Sequence, residues 1–373
     1  MSLYRTTRLL LSAVLLAAAV YLSSCTHYNA REISTRFSRA VVLICNMYYI
    51  QAETEEGVTF YIGRDYTGTD VRHSRDRQRL VPFLTFGTGF FIGKNGLIAT
   101  NRHIAYPWES KIREINDLND DNGVLKNLTY EPVFTGIIPN GSLIDISTSD
   151  NLVSVVNKVA QSFYQCDIIK HHSDPDVDLA LIQMQARTLP PHTGFIRESS
   201  LVKHTHDFKK GSDIYMIGFP GGLSFATTRK TLYREIENTL SSGIISKISD
   251  KYNIQYTLST GSGSSGSPVF NQHGKVIAVN YAVSDLQGAL INYGIKSGYI
   301  HDMLEEMTEF SLRSVLGVLL VRLLLLFIPL AAYNVYRIVR DDIIDLEFTI
   351  YGIVKLVVYV TVSAVIIIMN RMV

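Results

Sequence analysis

Short apolar runs separated by turn residues fill the chain between residues 30 and about 307. The runs are rich in β-branched and aromatic residues and end at Gly, Asn, Asp or Pro, which is typical of strands joined by turns. Asn95-Gly96 lies between two such runs and predicts a tight hairpin, and the sequence around Gly274 repeats this pattern. Because strands do not alternate with helices, the pattern argues against a parallel α/β sheet. It predicts an all-β fold built from antiparallel barrels or sandwiches.

The first 25 residues follow the order of an export signal. Arg5 and Arg8 precede an apolar run from Leu9 to Leu22, and small residues come after it. The stretch LSSC, which ends at Cys25, resembles the bacterial lipobox, whose cysteine becomes the lipidated first residue of the mature protein. The alternative is an uncleaved anchor helix with an incidental cysteine. In both cases the bulk of the chain is expected outside the cytoplasm.

The C-terminal end, residues 312–373, predicts a membrane hairpin. The two segments of about 314–332 and 349–369 are each apolar and long enough to span a bilayer, which takes about 20 residues. Arg337 and Arg340 lie in the short polar connection and favour a cytoplasmic loop. This topology leaves the middle of the chain outside the cytoplasm, in agreement with the export signal.

Composition excludes some classes of function. The formal net charge of the 373-residue chain is +1, so nothing indicates a surface for nucleic acid. Apart from Cys25, the cysteines are Cys45 and Cys166, each among apolar or aromatic neighbours. They could form a disulfide outside the cytoplasm, or stay unpaired and buried as small hydrophobic residues. Their spacing fits no metal motif, and we expect neither a metal nor another cofactor.

Three segments carry residues suited to acyl transfer. His103 follows an apolar strand in ATNRHIA, Asp178 precedes one in DPDVDLALIQM, and residues 259–270 read STGSGSSGSPVF. A serine hydrolase needs a hydroxyl, an imidazole that takes its proton, a carboxylate that holds the imidazole, and backbone donors for the oxyanion. Those donors converge only where the backbone turns sharply, which glycine tolerates.

The segments TNRHIA, DLALI and GSSGSP resemble the three signature segments of trypsin-like serine proteases, and most closely those of the HtrA/DegP branch. GTGFFI ahead of the histidine and GKVIAVN after the serine are also similar to that branch. The resemblance covers Gly87 to about Ile300 in the order His–Asp–Ser. It implies two antiparallel β-barrels, one over residues 35–200 with an insertion around 106–165, and one over 201–307.

The resemblance also implies residue roles. Ser265 is expected to be the nucleophile, because only this serine matches the pattern G-x-S-G-[GS]-P. The N–H groups of Gly263 and Ser265 are expected to form the oxyanion hole. His103 is the expected general base and then general acid, and Asp178 the residue that holds its tautomer. Ser264 stands where the family has Asp or Asn, which puts activation by the trypsin zymogen route in doubt.

Two further assignments rest on the same resemblance. Asp174 and Asp176 are alternatives for the triad carboxylate, but the register of DLALI favours Asp178. Ser259 is expected at the base of the primary specificity pocket, where a neutral residue favours small or apolar side chains over Arg and Lys. No segment remains for a PDZ domain between about residue 307 and the predicted hairpin.

These observations lead to one hypothesis and one alternative. The hypothesis is a membrane-anchored serine endopeptidase of the bacterial cell envelope, with the inner membrane favoured and a lipid-anchored N-terminus compatible with the sequence. Its expected partners are polypeptide substrates and membrane lipids; a homo-oligomer is compatible with the sequence and nucleic acid is not expected. The alternative is a non-catalytic protease fold that binds peptide as a sensor or scaffold and signals through the membrane hairpin.

Overall fold

The computed structural model describes residues 27–308 except for 55, 68–69, 120–124, 145–156, 159, 204–207, 224–226, 231–232, 249–250 and 287–288. The predicted export signal with Cys25 and the predicted membrane hairpin therefore lie outside the described residues. None of the helices in the described part of the chain combines the length and the apolarity of a bilayer-spanning segment. The chain divides into two compact units, Met1–His301 and Asp302–Val373, and the first contains all the strands named below.

Six antiparallel strands close the first barrel. Their order around the barrel is β1 (Val41–Thr54), β4 (Phe83–Phe91), β5 (Leu97–Thr100), β9 (Ala180–Met184), β8 (Tyr164–His171) and β6 (Leu125–Pro139), and β6 pairs back onto β1. Strands β2 (Thr59–Arg64) and β3 (Val71–Ser74) extend the sheet beyond β1. The first ten residues of β1 are buried, which explains why this strand is apolar without alternation.

Six further strands close the second barrel. Their order is β10 (Asp213–Gly218), β13 (Thr239–Lys247), β14 (Asn253–Tyr256), β17 (Ala289–Lys296), β16 (Val276–Leu286) and β15 (Pro268–Asn271), and β15 pairs back onto β10. A separate three-stranded sheet joins β11 (Thr227–Lys230), β12 (Tyr233–Ile236) and β7 (Leu143–Ile144). The predicted all-β fold with two antiparallel barrels is confirmed for the described residues.

The helices of the described residues include α1 (Ala30–Phe37), α2 (Arg102–Ala105) and α3 (Pro107–Asn119). Helix α1 begins at a capping box, in which the Asn29 side chain accepts from the Glu32 N–H at 3.0 Å and the Glu32 carboxylate accepts from the Asn29 N–H at 2.8 Å. The N–H of Tyr28 donates to the carbonyl oxygen of Gln272 at 2.6 Å. The chain ahead of α1 is thereby fixed to the β15–β16 hairpin of the second barrel.

Both predicted hairpins are present. Strands β4 and β5 pair on either side of Asn95 and Gly96, and Gly96 adopts a φ of 75° that favours glycine. Strands β15 and β16 pair around Gly274, whose φ is 70°.

The segment 106–165 differs from the insertion that the sequence predicted. It contributes helix α3, but it also contributes β6, a 15-residue strand that pairs with β1 and closes the first barrel. Pro132 lies where the β1–β6 register shifts, a position at which a strand tolerates proline.

The two cysteines of the described residues are free and buried. Of the two alternatives for Cys45 and Cys166, the structure therefore has the unpaired one. Burial raises the pKa of the Cys166 thiol to about 12, and that of Cys45 well above its usual value.

Candidate active site

His103 lies in α2, a single helical turn that directly follows β5. Asn101 precedes this turn in an extended conformation, and its side-chain amide donates to the carbonyl oxygen of Asp178 at 2.8 Å. On the other side, the buried Asn46 of β1 donates from its amide to the carbonyl oxygen of Ile104 at 2.7 Å. These two hydrogen bonds fix the turn to the barrel wall and to the loop ahead of β9.

The imidazole of His103 and the carboxylate of Asp178 form a close pair. His103 Nδ1 lies 2.5 Å from Asp178 Oδ2, and the His103 backbone N–H donates to Asp178 Oδ1 at 2.9 Å. The side chains of His103 and Asp178 are 39% and 22% exposed, so the pair opens to solvent on one side. An ionised carboxylate only accepts hydrogen bonds, so this contact favours the histidine tautomer whose Nδ1 carries the proton and whose Nε2 can accept one.

The other two carboxylates of this loop have different roles. Asp174 accepts hydrogen bonds from the Asp176 N–H at 3.1 Å and from the Tyr252 hydroxyl at 3.0 Å, and Lys251 Nζ lies 4.0 Å away. The backbone bond from Asp176 contributes most to lowering the pKa of Asp174, and Tyr252 and Lys251 add to it. Asp176 is exposed, and neither carboxylate makes a described contact with His103. Asp174 thus holds the loop to the second barrel.

The serine-rich segment forms a tight turn ahead of β15. Gly263 and Gly266 both adopt a φ of 89°, a conformation that favours glycine. A Cβ at Gly266 would also collide with the carbonyl oxygen of Thr88. Ser264 is fully buried, and its carbonyl oxygen accepts from the Ser267 N–H at 3.1 Å. The segment is therefore a built turn and not a flexible linker.

Thr88 of β4 holds this turn from the first barrel. Its N–H donates to the carbonyl oxygen of Ser265 at 2.8 Å, and its hydroxyl donates to that of Gly263 at 2.7 Å. The same hydroxyl accepts from the Phe219 N–H at 3.0 Å. The sequence predicted no role for Thr88, although a polar residue inside the run FGTGFF is a usable signal, because a buried hydroxyl needs partners.

With those two carbonyl oxygens bound to Thr88, the N–H groups of Gly263 and Ser265 have no acceptor among the residues that the structure describes. The neighbouring N–H groups are used, since Ser264 donates to Gly261 at 2.9 Å and Gly266 to Asn280 at 2.8 Å. The two predicted oxyanion donors are thus among the N–H groups of the turn that have no acceptor in the described part of the chain.

Ser265, His103 and Gly263 line one pocket of about 450 Å³. Helix α3 contributes Lys111 to its wall, and the described residues that line the pocket include no Asp or Glu. The Ser265 hydroxyl donates to the carbonyl oxygen of Tyr281 at 3.4 Å, and the described residues show no hydrogen bond between it and His103. Rotation about the Cα–Cβ bond of Ser265 changes which of these neighbours the hydroxyl faces, and such bonds are often loose before substrate binds.

Ser259 lies apart from this pocket. It is exposed, its N–H donates to the Ser241 hydroxyl at 3.2 Å, and it is not among the residues that line the pocket of Ser265. Its expected role at the base of a specificity pocket stays a prediction.

Two six-stranded antiparallel barrels, with a histidine–carboxylate pair on one and a glycine-bounded serine turn on the other, define the chymotrypsin-like class of protein. Residues 87–279 match the model of the trypsin-like peptidase domain, which covers more than half of the chain. The chain belongs to this family.

Relatives among known proteins agree with the family. The chain is 27% identical to exfoliative toxin A of Staphylococcus aureus over 250 residues, which are 63% of the chain and 74% of the toxin. It is 23% identical over 222 residues to a glutamyl endopeptidase of Staphylococcus epidermidis, covering 59% of the chain and 60% of that protein.

A probable periplasmic serine endoprotease, DegP-like, of Rickettsia conorii is 23% identical over 297 residues. The match covers 74% of the chain and 45% of that protein, so the chain spans less than half of the DegP-like relative. Together the family and these relatives support a serine protease.

Proposed function

We propose that the protein is a serine endopeptidase that uses Ser265, His103 and Asp178. The observation that carries the proposal is the 2.5 Å contact between His103 Nδ1 and Asp178 Oδ2, with His103 and Ser265 lining one pocket. This arrangement places a fixed imidazole in the same pocket as the hydroxyl of a tight turn, and nucleophilic acyl transfer requires these two groups to be neighbours.

The proposed reaction has two halves. Ser265 Oγ turns from the Tyr281 carbonyl, attacks the carbonyl carbon of a peptide bond, and gives its proton to Nε2 of His103. The N–H groups of Gly263 and Ser265 stabilise the oxyanion. When the C–N bond breaks, His103 returns the proton to the leaving amine and an acyl ester on Ser265 remains. Water then attacks the ester with His103 again as base, which releases the acid and restores the hydroxyl.

Asp178 serves this reaction through His103. Its two oxygens bind the ring Nδ1 and the backbone N–H of the same residue, which favours the tautomer whose Nε2 accepts a proton. The negative charge also stabilises the imidazolium that forms during the attack.

We further propose, from the sequence, that the enzyme works outside the cytoplasm of a bacterium, anchored in the inner membrane by the hairpin of residues 312–373. Cys25 is the proposed lipid attachment, and polypeptides of the cell envelope are the proposed substrates. Lys111 lines the pocket and no acid does so among the described residues, which supports a poor fit for Arg and Lys side chains of a substrate.

Labelling with a fluorophosphonate probe tests the proposal. The wild type should be labelled and Ser265→Ala should not, because the probe forms a bond only with an activated serine. Ser242→Ala, which removes an exposed hydroxyl from β13 of the same barrel, is the matched control and should keep full labelling.

The alternative is a peptide-binding module without catalysis. The observation that favours it is the Ser265 hydroxyl facing Tyr281 instead of His103. If the folded wild type takes no label across pH 6 to about 9 and cleaves no peptide, while peptides still bind to its pocket, the endopeptidase proposal is wrong and the binding module stands.

A further inference from the structure

A second pocket, of about 620 Å³, lies outside the residues of the proposed reaction. Four separate stretches form it: the start of the described chain with α1, the β4–β5 turn, residues 189–200 between the barrels, and the β15–β16 turn. Its size is in the range of small-molecule sites, about 300–1,000 Å³. We name it the basic pocket.

The charged side chains that line the basic pocket are all positive. Arg36, Lys94 and Arg197 line it, and none of its lining residues in the part of the chain that the structure describes is Asp or Glu. No carboxylate of the described residues forms an ion pair with any of these three side chains. Glu198, next in sequence to Arg197, instead lies with its Oε1 3.2 Å from His301 Nδ1. Because the three positive charges repel one another, an anion bound among them would stabilise the pocket.

Aromatic rings hold two of the three cations in place. The Arg36 guanidinium lies 5.1 Å from the centre of the Tyr28 ring and donates to the Tyr28 hydroxyl at 2.9 Å. Lys94 Nζ lies 6.0 Å from the centre of the Phe195 ring. Such contacts already restrict the long cationic side chains, so less conformational entropy is lost when a ligand binds.

The floor of the basic pocket is rigid. Phe37 stacks on the buried Phe270 with ring centres 4.6 Å apart. The N–H of Tyr28 is bonded to Gln272, and Gly274 packs against Tyr28 and Phe37 so closely that a Cβ there would lie 3.1–3.2 Å from their rings. The pocket thus joins three cations to a fixed, partly apolar wall.

We infer that the basic pocket binds a phosphate-bearing ligand. A guanidinium can donate two parallel hydrogen bonds to the oxygens of one phosphate, and three cations that line one pocket suit a group that carries one or two negative charges. The half-buried Ser200 lines the pocket, and its hydroxyl has no partner among the described residues and offers one more donor.

Two sources could supply the phosphate, a phospholipid headgroup or a soluble phosphate compound. Tyr28 is the third residue after Cys25. Three residues of extended chain span at most about 11 Å, so a lipid on Cys25 would keep the pocket near headgroups. Only this choice of source, and not the binding itself, rests on the proposed anchoring.

Thermal unfolding of the full chain in an uncharged detergent measures the binding. The single Trp108 is buried and stacks on Tyr130 at 4.0 Å, so its fluorescence reports on unfolding. Inorganic phosphate, exchanged for chloride at constant ionic strength, should raise the midpoint of the wild type as a ligand of the folded state does.

Substitutions locate the site. Arg36→Gln and Arg197→Gln should each raise the apparent Kd for phosphate about tenfold, since each removes a charge-assisted hydrogen bond. Arg75→Gln, which removes an exposed arginine that does not line the pocket, should leave the Kd unchanged. Should a Gln variant fail to fold, Arg36→Lys, which keeps the charge but not the paired donors, tests the same site with a smaller loss.

A second arm identifies the source. Displacement of phosphate by dioctanoyl phosphatidylglycerol, but not by dioctanoyl phosphatidylcholine, supports an anionic lipid headgroup as the ligand. Phosphate binding without displacement by either lipid supports a soluble ligand. A midpoint that does not respond to phosphate or to phosphatidylglycerol, or that responds equally in Arg36→Gln, Arg197→Gln and the wild type, overturns the inference. Fluorophosphonate labelling of Ser265 is unaffected by that outcome.

Discussion

The hydroxyl of Thr88 donates to the carbonyl oxygen of Gly263 at 2.7 Å, from the first barrel to the serine turn of the second. Together with the bond from the Thr88 N–H to the carbonyl oxygen of Ser265, it fixes two carbonyl oxygens of the turn to the first barrel. The orientation of the two proposed oxyanion donors therefore depends on a residue more than 170 positions earlier in the chain.

Thr88→Val should lower both stability and turnover. Valine has nearly the same shape, but it leaves the Gly263 carbonyl and the Phe219 N–H without a partner, at roughly 1–3 kcal/mol for each buried group. Urea unfolding measures the loss of stability, and kcat measures the loss of turnover. We expect KM to change less. Thr88→Ser keeps the hydroxyl and should retain most of the stability and most of the turnover. Wild-type kcat in the folded Val variant would show that Thr88 does not position the turn.

Asp178 and Asp174 should respond differently to loss of charge. Asp178→Asn should lower kcat by up to about 10⁴-fold, because the amide favours the wrong histidine tautomer. Asp174→Asn should keep most of the activity, since its partners are Tyr252 and Asp176 and not His103. Steady-state kinetics on a peptide substrate compare the two variants. Equal losses in both would contradict the assignment of the triad carboxylate.

Asp174 should also contribute to stability in a pH-dependent way. Its pKa is lowered in the folded protein, so its contribution is complete above the pKa of an unfolded Asp, about 3.9, and disappears as the pH falls through the lower folded value. Urea unfolding of the wild type and Asp174→Asn should therefore differ at pH 7 and converge near pH 2. A difference that grows on acidification would refute this.

Activity should rise with pH from the acid to the neutral range, because a general base must lose its proton before it can accept one. The dependence of kcat/KM on pH is the measurement. A flat profile through this range would count against His103 as the base.

Cys45 and Cys166 should resist alkylation in the folded protein. Burial raises the pKa of the Cys166 thiol to about 12, so at pH 8 only about one thiol in ten thousand is ionised. Mass spectrometry after iodoacetamide should find both unmodified in the native chain and both modified in urea. Modification of both before unfolding would show that the barrel core is open to reagent.

Local patterns were sufficient for the Asn95-Gly96 hairpin, whose strands are neighbours in sequence. The histidine after β5 and the acid ahead of β9 were expected only because their segments resemble those of a protease family. The pairing of β1 with β6 was not predicted, because it joins segments about 90 residues apart and β6 carries two prolines and several polar residues. No role was predicted for Thr88 for a related reason: the sequence around it does not indicate its partners in the second barrel.

The order of the two barrels along the chain also determines the order in which the parts of the candidate site are synthesised. His103 and Asp178 belong to the half of the chain that the ribosome makes first, whereas the turn of Ser265 needs β15, β16 and the threonine on β4. A nascent chain that has only its first barrel therefore carries an imidazole without a hydroxyl to activate. In the proposed reaction, a chain at that stage has no nucleophile and cannot itself cleave a peptide bond.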